Sequence, residues 1–308
     1  MTISMNDYSI EAFMDYLTIE KGCSPNTIKG YSHDLYGLIE FLNKNSDYAT
    51  PINWSSITLI QLRGYLANLY NDRKNKNSSI HRRVCSIKAF FKFLISNKMI
   101  IADPSEELQY PKRPQSLPKF VPKDSIQILI NNANNPLHKV IIEVLYSTGV
   151  RCNELRNMNI DDVNFNDSSI RINSGKGGKD RIVLLSKRAA PRLKEYVDGY
   201  RQKMIKKAEQ RKKLPLDSYD ALFISNRGLR ISNRTIQDFI SKISENSGLK
   251  NTTPHVLRHS FASHLVMDKT NIRVVQQLLG HASLETTQIY ANVSTDYIKS
   301  EFQDKLNF

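Results

Sequence analysis

The chain has 308 residues, enough for two domains of ordinary size, and its 40% apolar content excludes global disorder. Lys plus Arg outnumber Asp plus Glu by 44 to 30, giving a net charge of +14 and a pI near 9.6, so a polyanionic partner is expected. No apolar run approaches the ~18 residues that span a bilayer, and the first residues lack a basic-then-apolar leader pattern, which favours nucleic acid over a membrane and a cytoplasmic setting.

The first stretch, to about residue 109, reads as four helices around one apolar core. Ile10, Phe13, Met14 and Leu17 share a helical face. Ser24 and Pro25 form an N-cap and first-turn pair that opens a second helix carrying Tyr31, Leu35, Leu38 and Leu42. A third helix begins near Thr58, and a fourth follows Ser78-Ser79 with Ile80, Val84, Ile87, Phe91 and Leu94 inward. Arg73, Lys74 and Lys76 lie between the last two, and Arg82, Arg83 and Lys88 extend the basic face. Such a face can lie across a duplex and neutralise phosphates; on one helix alone it reads as a solvated surface.

Residues 110–123 break the pattern. Pro111, Pro114, Pro118 and Pro122 alternate with basic residues, as expected of an extended linker between a domain of residues 1–109 and one of residues 124–308. The second domain opens with Asp124 as an expected N-cap. Thr148-Gly149 interrupts its helices, placing Arg151 at the start of a short helix. Val163, Phe165, Ile170 and Ile172 suggest strands. The turn Ser174 to Asp180 joins them to a return strand, Arg181 to Leu185, and puts Lys176 and Lys179 at a hairpin tip. That glycine-rich turn is not a nucleotide-binding loop, because it joins two strands and no Ser or Thr follows its lysines. A long basic helix is expected over residues 187–207, and Leu222-Phe223-Ile224 as a short strand or apolar plug. A helix capped by Ser232 and stopped by Gly248 follows, with Arg227, Arg230 and Arg234 near its start. After Ser294, Tyr297, Ile298, Phe302 and Leu306 fall on one helical face with no evident cover.

The chemistry concentrates in the stretch Pro254 to Tyr290. His255 and His259 are spaced like half of a zinc site, but Arg258 stands where a dication would be repelled, and no acidic third ligand is near. The scattered Cys23, Cys85 and Cys152 suggest neither a disulfide framework nor a metal site. Neither metal nor cofactor is expected. Chemistry on a phosphate ester accounts for more. Arg151 and Arg258 can hold two non-bridging oxygens, and His281 can donate to the transition state. A hairpin-tip lysine can protonate a departing alkoxide, and Tyr290 can attack phosphorus. A phenol of pKa ~10 is about one part in a thousand ionised at neutral pH, so it needs a strongly cationic site.

In combination, Thr148-Gly-Val-Arg-Cys-Asn-Glu-Leu155, Gly175-Lys-Gly-Gly-Lys-Asp-Arg181, Pro254-His-Val-Leu-Arg-His-Ser-Phe-Ala-Ser-His-Leu265, Leu278-Leu-Gly-His-Ala-Ser283 and Thr286-Thr-Gln-Ile-Tyr290 resemble the tyrosine recombinases of the phage-integrase class, and most of all its Xer-type members. The resemblance spans nearly the whole chain. It implies a mainly α fold with a small β-hairpin sheet in the C-terminal domain: a SAM-like helical core-binding domain, then the tyrosine-recombinase catalytic domain. The catalytic set it implies is Arg151, Lys176 (Lys179 less well), His255, Arg258, His281 and the nucleophile Tyr290. Glu154 falls on an acidic position expected to orient its neighbours. The implied reaction forms a 3′-phosphotyrosyl link on double-stranded DNA at an inverted-repeat site and exchanges strands through a Holliday junction. It runs in a tetramer, with a paralogous recombinase as a possible second member, and the segment after Ser294 would dock on the next protomer. Chromosome or plasmid dimer resolution is the expected role. Integration or transposition of a mobile element uses the same chemistry, and a type IB topoisomerase is the nearest rival.

Overall fold

A computed structural model describes residues 5–44, 52–72, 74–112, 120–173, 180–210, 217–249 and 251–280. Arg73, Lys176, Lys179, His281, Tyr290 and the segment after Ser294 lie outside them. The chain divides into two compact units, Met1–Gln115 and Ser116–Phe308.

The first unit is a helical bundle of α1 (Met5–Ile19), α2 (Pro25–Lys44), α3 (Leu59–Asn71) and α4 (Asn77–Ser96). Its core is built of Leu, Ile and Val side chains around a cluster of aromatic rings. The Phe13 and Phe90 rings meet edge to face at 5.4 Å, and Trp54 meets Phe90 likewise at 4.9 Å. Thr58 caps α3 in a reciprocal box with Gln61, each side chain bonding the other's main-chain N–H. Helix α4 starts earlier than expected, at Asn77. One buried carboxylate crosses the bundle: Asp34 on α2 accepts from Ser86 Oγ at 2.8 Å and from Arg82 on α4.

The second unit begins with α5 (Lys123–Asn131) and α6 (Pro136–Thr148). Pro122, not Asp124, precedes α5; Asp124 sits inside the first turn, where its charge favours the helix dipole. Asn135 caps α6 with Pro136 behind it, and Gly149 ends it in the left-handed region at φ +62°. Helix α7 (Cys152–Asn157) leads into an antiparallel sheet in the order β1 (Val163–Asn164), β2 (Ser169–Ile172), β3 (Arg181–Leu184), with Ile170 opposite Val183. Phe165, expected in a strand, lies in the turn after β1. The basic helix is α8 (Ala189–Glu195) and α9 (Gln202–Gln210), joined by a π-helical turn at Tyr196–Arg201. The Arg201 guanidinium is buried there on the carbonyls of Ala221, Ser218 and Tyr219. After the short α10 (Asp217–Asp220), Leu222, Phe223 and Ile224 form a plug with no exposed surface, resolving that ambiguity against a regular strand. Helices α11 (Asn233–Asn246), α12 (Pro254–Met267) and α13 (Ile272–Leu279) complete the unit. Helix α6 is its axis: Val140, Ile141, Ile142, Val144 and Leu145 are buried all round it. Among the described residues no helix is long and apolar enough to cross a membrane.

Candidate active site

Two helix starts build the site. Thr253 accepts from Val256 N and Pro254 occupies the first turn of α12, so that helix begins one residue before His255. Arg258 follows one turn later on the same face. The left-handed Gly149 ends α6, Val150 turns into the core, and Arg151 becomes the residue preceding α7. Arg151, His255 and Arg258 therefore line one cavity of about 640 Å³, together with Arg234 from α11. The structure thus brings together three of the six residues expected to be catalytic, from segments more than a hundred residues apart in the sequence.

The site is cationic and tightly braced. Arg258 is only 3% exposed, and its two terminal nitrogens donate to the carbonyls of Gly149 at 2.6 Å and Leu279 at 2.8 Å. It clasps the end of α6 to the end of α13, satisfying two helix-terminal carbonyls. Glu154 stands behind Arg151, accepting from its main-chain N–H at 2.7 Å and its Nη1 at 2.9 Å. Burial alone would raise the Glu154 carboxyl, but hydrogen bonds from Arg181, the Arg151 amide and both guanidinium charges outweigh it and bring the pKa to about 2. Glu154 is thus an anion held between Arg151 and Arg181. Partial burial, then the charges of Arg258 and Arg151, lower the pKa of His255. Its ring meets that of His259 edge to face at 4.3 Å. Burial, with His255 and Arg258 beside it, brings His259 down to about 4. Both imidazoles are neutral at neutral pH, so His255 offers a lone pair as well as an N–H. Among the described residues, no group of three or more His, Cys, Asp or Glu is placed to hold a metal ion.

The expected DNA-contacting residues divide. Lys74, Lys76, Arg82 and Arg234 are exposed. Arg82 is anchored on Gly30 O and Asp34 while its side chain stays 43% exposed. Lys88 is half-buried, donating to Glu106 O and lying over the Tyr110 ring. Two corrections follow. Arg83 is buried, donating to Tyr65 Oη at 2.7 Å beside Asp34, so its charge is spent inside the bundle. Arg230 is 12% exposed in its side chain and is bonded to Asp217, Asn159 and the carbonyls of Arg156 and Met158. Both serve packing. Helical spacing could have flagged Arg83, which falls with Ile80, Val84 and Ile87 on the inward stripe.

Sequence patterns of known families cover both units. The phage integrase family pattern matches residues 119–296, and that of the phage integrase N-terminal SAM-like domain matches residues 10–98. Among similar proteins, tyrosine recombinase XerD of Oceanobacillus iheyensis is 33% identical over 304 residues, 97% of this chain and 98% of that protein. Tyrosine recombinase XerC of Roseiflexus castenholzii is 34% identical over 296 residues, 94% of this chain and 90% of that one. The crystal structure of a lambda integrase tetramer bound to a Holliday junction shares the fold, with a TM-score of 0.69 at 16% identity, over 92% of this chain and 78% of that chain. Family patterns over both units and full-length similarity to Xer proteins lead to one assignment: the chain belongs to the phage integrase family, as a tyrosine recombinase of the Xer kind.

Proposed function

We propose that this chain performs site-specific DNA recombination with Tyr290 as nucleophile and the cavity of Arg151, His255 and Arg258 as its phosphate site. The observation that carries the reading is that cavity, where two guanidiniums and a neutral imidazole stand on two helix starts. In this reading the scissile phosphate's non-bridging oxygens accept from Arg151 and Arg258, which stabilise the charge gathering on phosphorus. The neutral His255 takes the phenol proton. The Tyr290 oxygen forms a bond to phosphorus, and the bond to the 5′ oxygen breaks. Lys176 gives that oxygen its proton, and His281 donates to the transition state. A 5′ hydroxyl of the partner duplex then attacks the phosphotyrosine, restoring the phenol and the diester. Bond energy is conserved, so no nucleotide cofactor is needed.

Double-stranded DNA with inverted half-sites is the substrate in this proposal, four protomers the working assembly and the cytoplasm the setting. Domains of residues 1–109 and 124–308 would contact the duplex, joined by residues 110–123. Similarity to XerC and XerD supports chromosome or plasmid dimer resolution as the role. The test is to incubate the chain with genomic DNA, denature, and map where protein stays attached. We expect attachment at a small set of related sites, and its complete loss in Tyr290→Phe with duplex binding retained. Adduct from Tyr290→Phe would overturn the assignment of the nucleophile. Relaxation of supercoiled DNA with no site preference would point to a topoisomerase instead.

A further inference from the structure

Arg181 opens β3, and nothing above gives it a part in the reaction. Its side chain is 10% exposed, low for an arginine. Nη1 donates to Glu154 Oε1 at 3.0 Å, Nη2 to Oε2 at 2.8 Å, and Nε to the carbonyl of Leu278 at 3.0 Å. This planar fork joins three pieces of chain: the hairpin strand, the start of α7 and the end of α13. Gly280 closes over it. That residue has φ +63°, and a Cβ there would stand 3.0 Å from Arg181 Nη1. In sequence, Gly280 immediately precedes His281, and Arg181 follows Lys176 by five positions.

The electrostatics give the fork a second task. Glu154 is a largely buried anion shared by Arg181 and Arg151. Arg151 already donates to Glu154 Oε1 at 2.9 Å; without Arg181 on both oxygens, the carboxylate would be left with Arg151 as its cation and would turn that single bond into a two-oxygen pair, rotating the guanidinium away from a bound phosphate. With Arg181 in place, both carboxylate oxygens are engaged from behind, and the Arg151 side chain stays 49% exposed at the cavity.

We infer that Arg181 is a positioning residue for DNA cleavage: it neutralises Glu154 so that Arg151 serves the phosphate, and it fixes the end of α13 through Leu278. The inference rests on the cleavage reading above. Its test uses the full chain and a nicked duplex carrying a site to which the wild-type chain becomes covalently attached. Adduct formation in a single turnover at saturating duplex, duplex affinity and the thermal midpoint are measured for wild type, Arg181→Gln, Arg181→Lys and the double variant Arg181→Gln with Glu154→Gln.

Arg181→Gln is expected to form adduct about a hundredfold more slowly, the scale of a misplaced catalytic group, with unchanged affinity. Arg181→Lys keeps the charge but cannot span Glu154 and Leu278 together, so it should melt near the wild type yet stay slow. The double variant should recover about tenfold over Arg181→Gln, because a neutral residue 154 releases Arg151. A wild-type rate in Arg181→Gln, full rescue by lysine, or losses that multiply in the double variant would each overturn the inference. If Arg181→Gln does not fold, Arg181→Lys decides alone. No adduct from the wild type defeats the cleavage reading and this inference with it. A reactive wild type with an equally reactive Arg181→Gln defeats this inference only.

Discussion

At the scale of single residues, the site trades stability in acid for chemistry at neutral pH. His259 has its pKa brought to about 4 by burial and the neighbouring His255 and Arg258, against 6.5 when unperturbed. His255 and His264 are lowered too, in each case chiefly by burial. The sign follows by linkage: as pH falls below about 6.5 the unfolded chain binds protons that the folded chain refuses, so stability declines until the folded groups titrate. Thermal midpoints measured from pH 7.5 to pH 4 should therefore fall steadily between about 6.5 and 4, and His259→Gln should flatten part of that slope. An unchanged slope would show that His259 is not held neutral. Glu154 acts in a lower window. Its stabilisation is complete above 4.5 and is lost only as pH falls toward about 2, so it does not confuse the histidine signal.

At the scale of elements, the site depends on how α6 ends. A β-carbon at Gly149 would lie 2.3 Å from Cδ1 of Phe261 on α12 and 3.1 Å from Leu279 on α13, besides occupying φ +62°. The absent side chain lets α12 pass close enough for Arg258 to reach the Gly149 carbonyl. Gly149→Ala should cost about 2–4 kcal/mol, the sum of a left-handed alanine and a steric overlap, read as a lower urea midpoint. Adding Phe261→Leu should restore part of it, and a wild-type midpoint for Gly149→Ala alone would refute the packing account. This contact also shows what the sequence could disclose. The break at Thr148-Gly149, the helix start near Thr58 and the hairpin strands were legible because local steric rules set them. The clasp of Arg258 on Leu279 and the fork of Arg181 were not, since each joins segments whose proximity only the folded core decides. Arg181 stood in plain view within the hairpin motif. What made it informative was burial, which a strand's alternation does not assign to a charged residue at the strand's first position.

At the scale of the whole molecule, a net charge of +14 says that the chain seeks a polyanion but not which cations meet it. Charge counted along a sequence treats every arginine alike, whereas the fold spends some internally. Arg83 is buried on Tyr65 beside Asp34, while Lys74 and Lys76, a few residues earlier, are exposed. Duplex affinity should fall linearly with the logarithm of salt concentration, with a slope of about 0.9 per phosphate neutralised. Replacing Lys74 and Lys76 together by Gln should reduce that slope by about 2 if both meet phosphates. Arg83→Gln should leave the slope alone and lower the thermal midpoint, because the buried Asp34 loses one of its cationic neighbours. Fluorescence anisotropy on one duplex across a salt series, with a melt of each variant, separates the two behaviours. A slope reduced by Arg83→Gln at an unchanged midpoint would place that guanidinium on the DNA and return it to the basic face from which the fold has removed it.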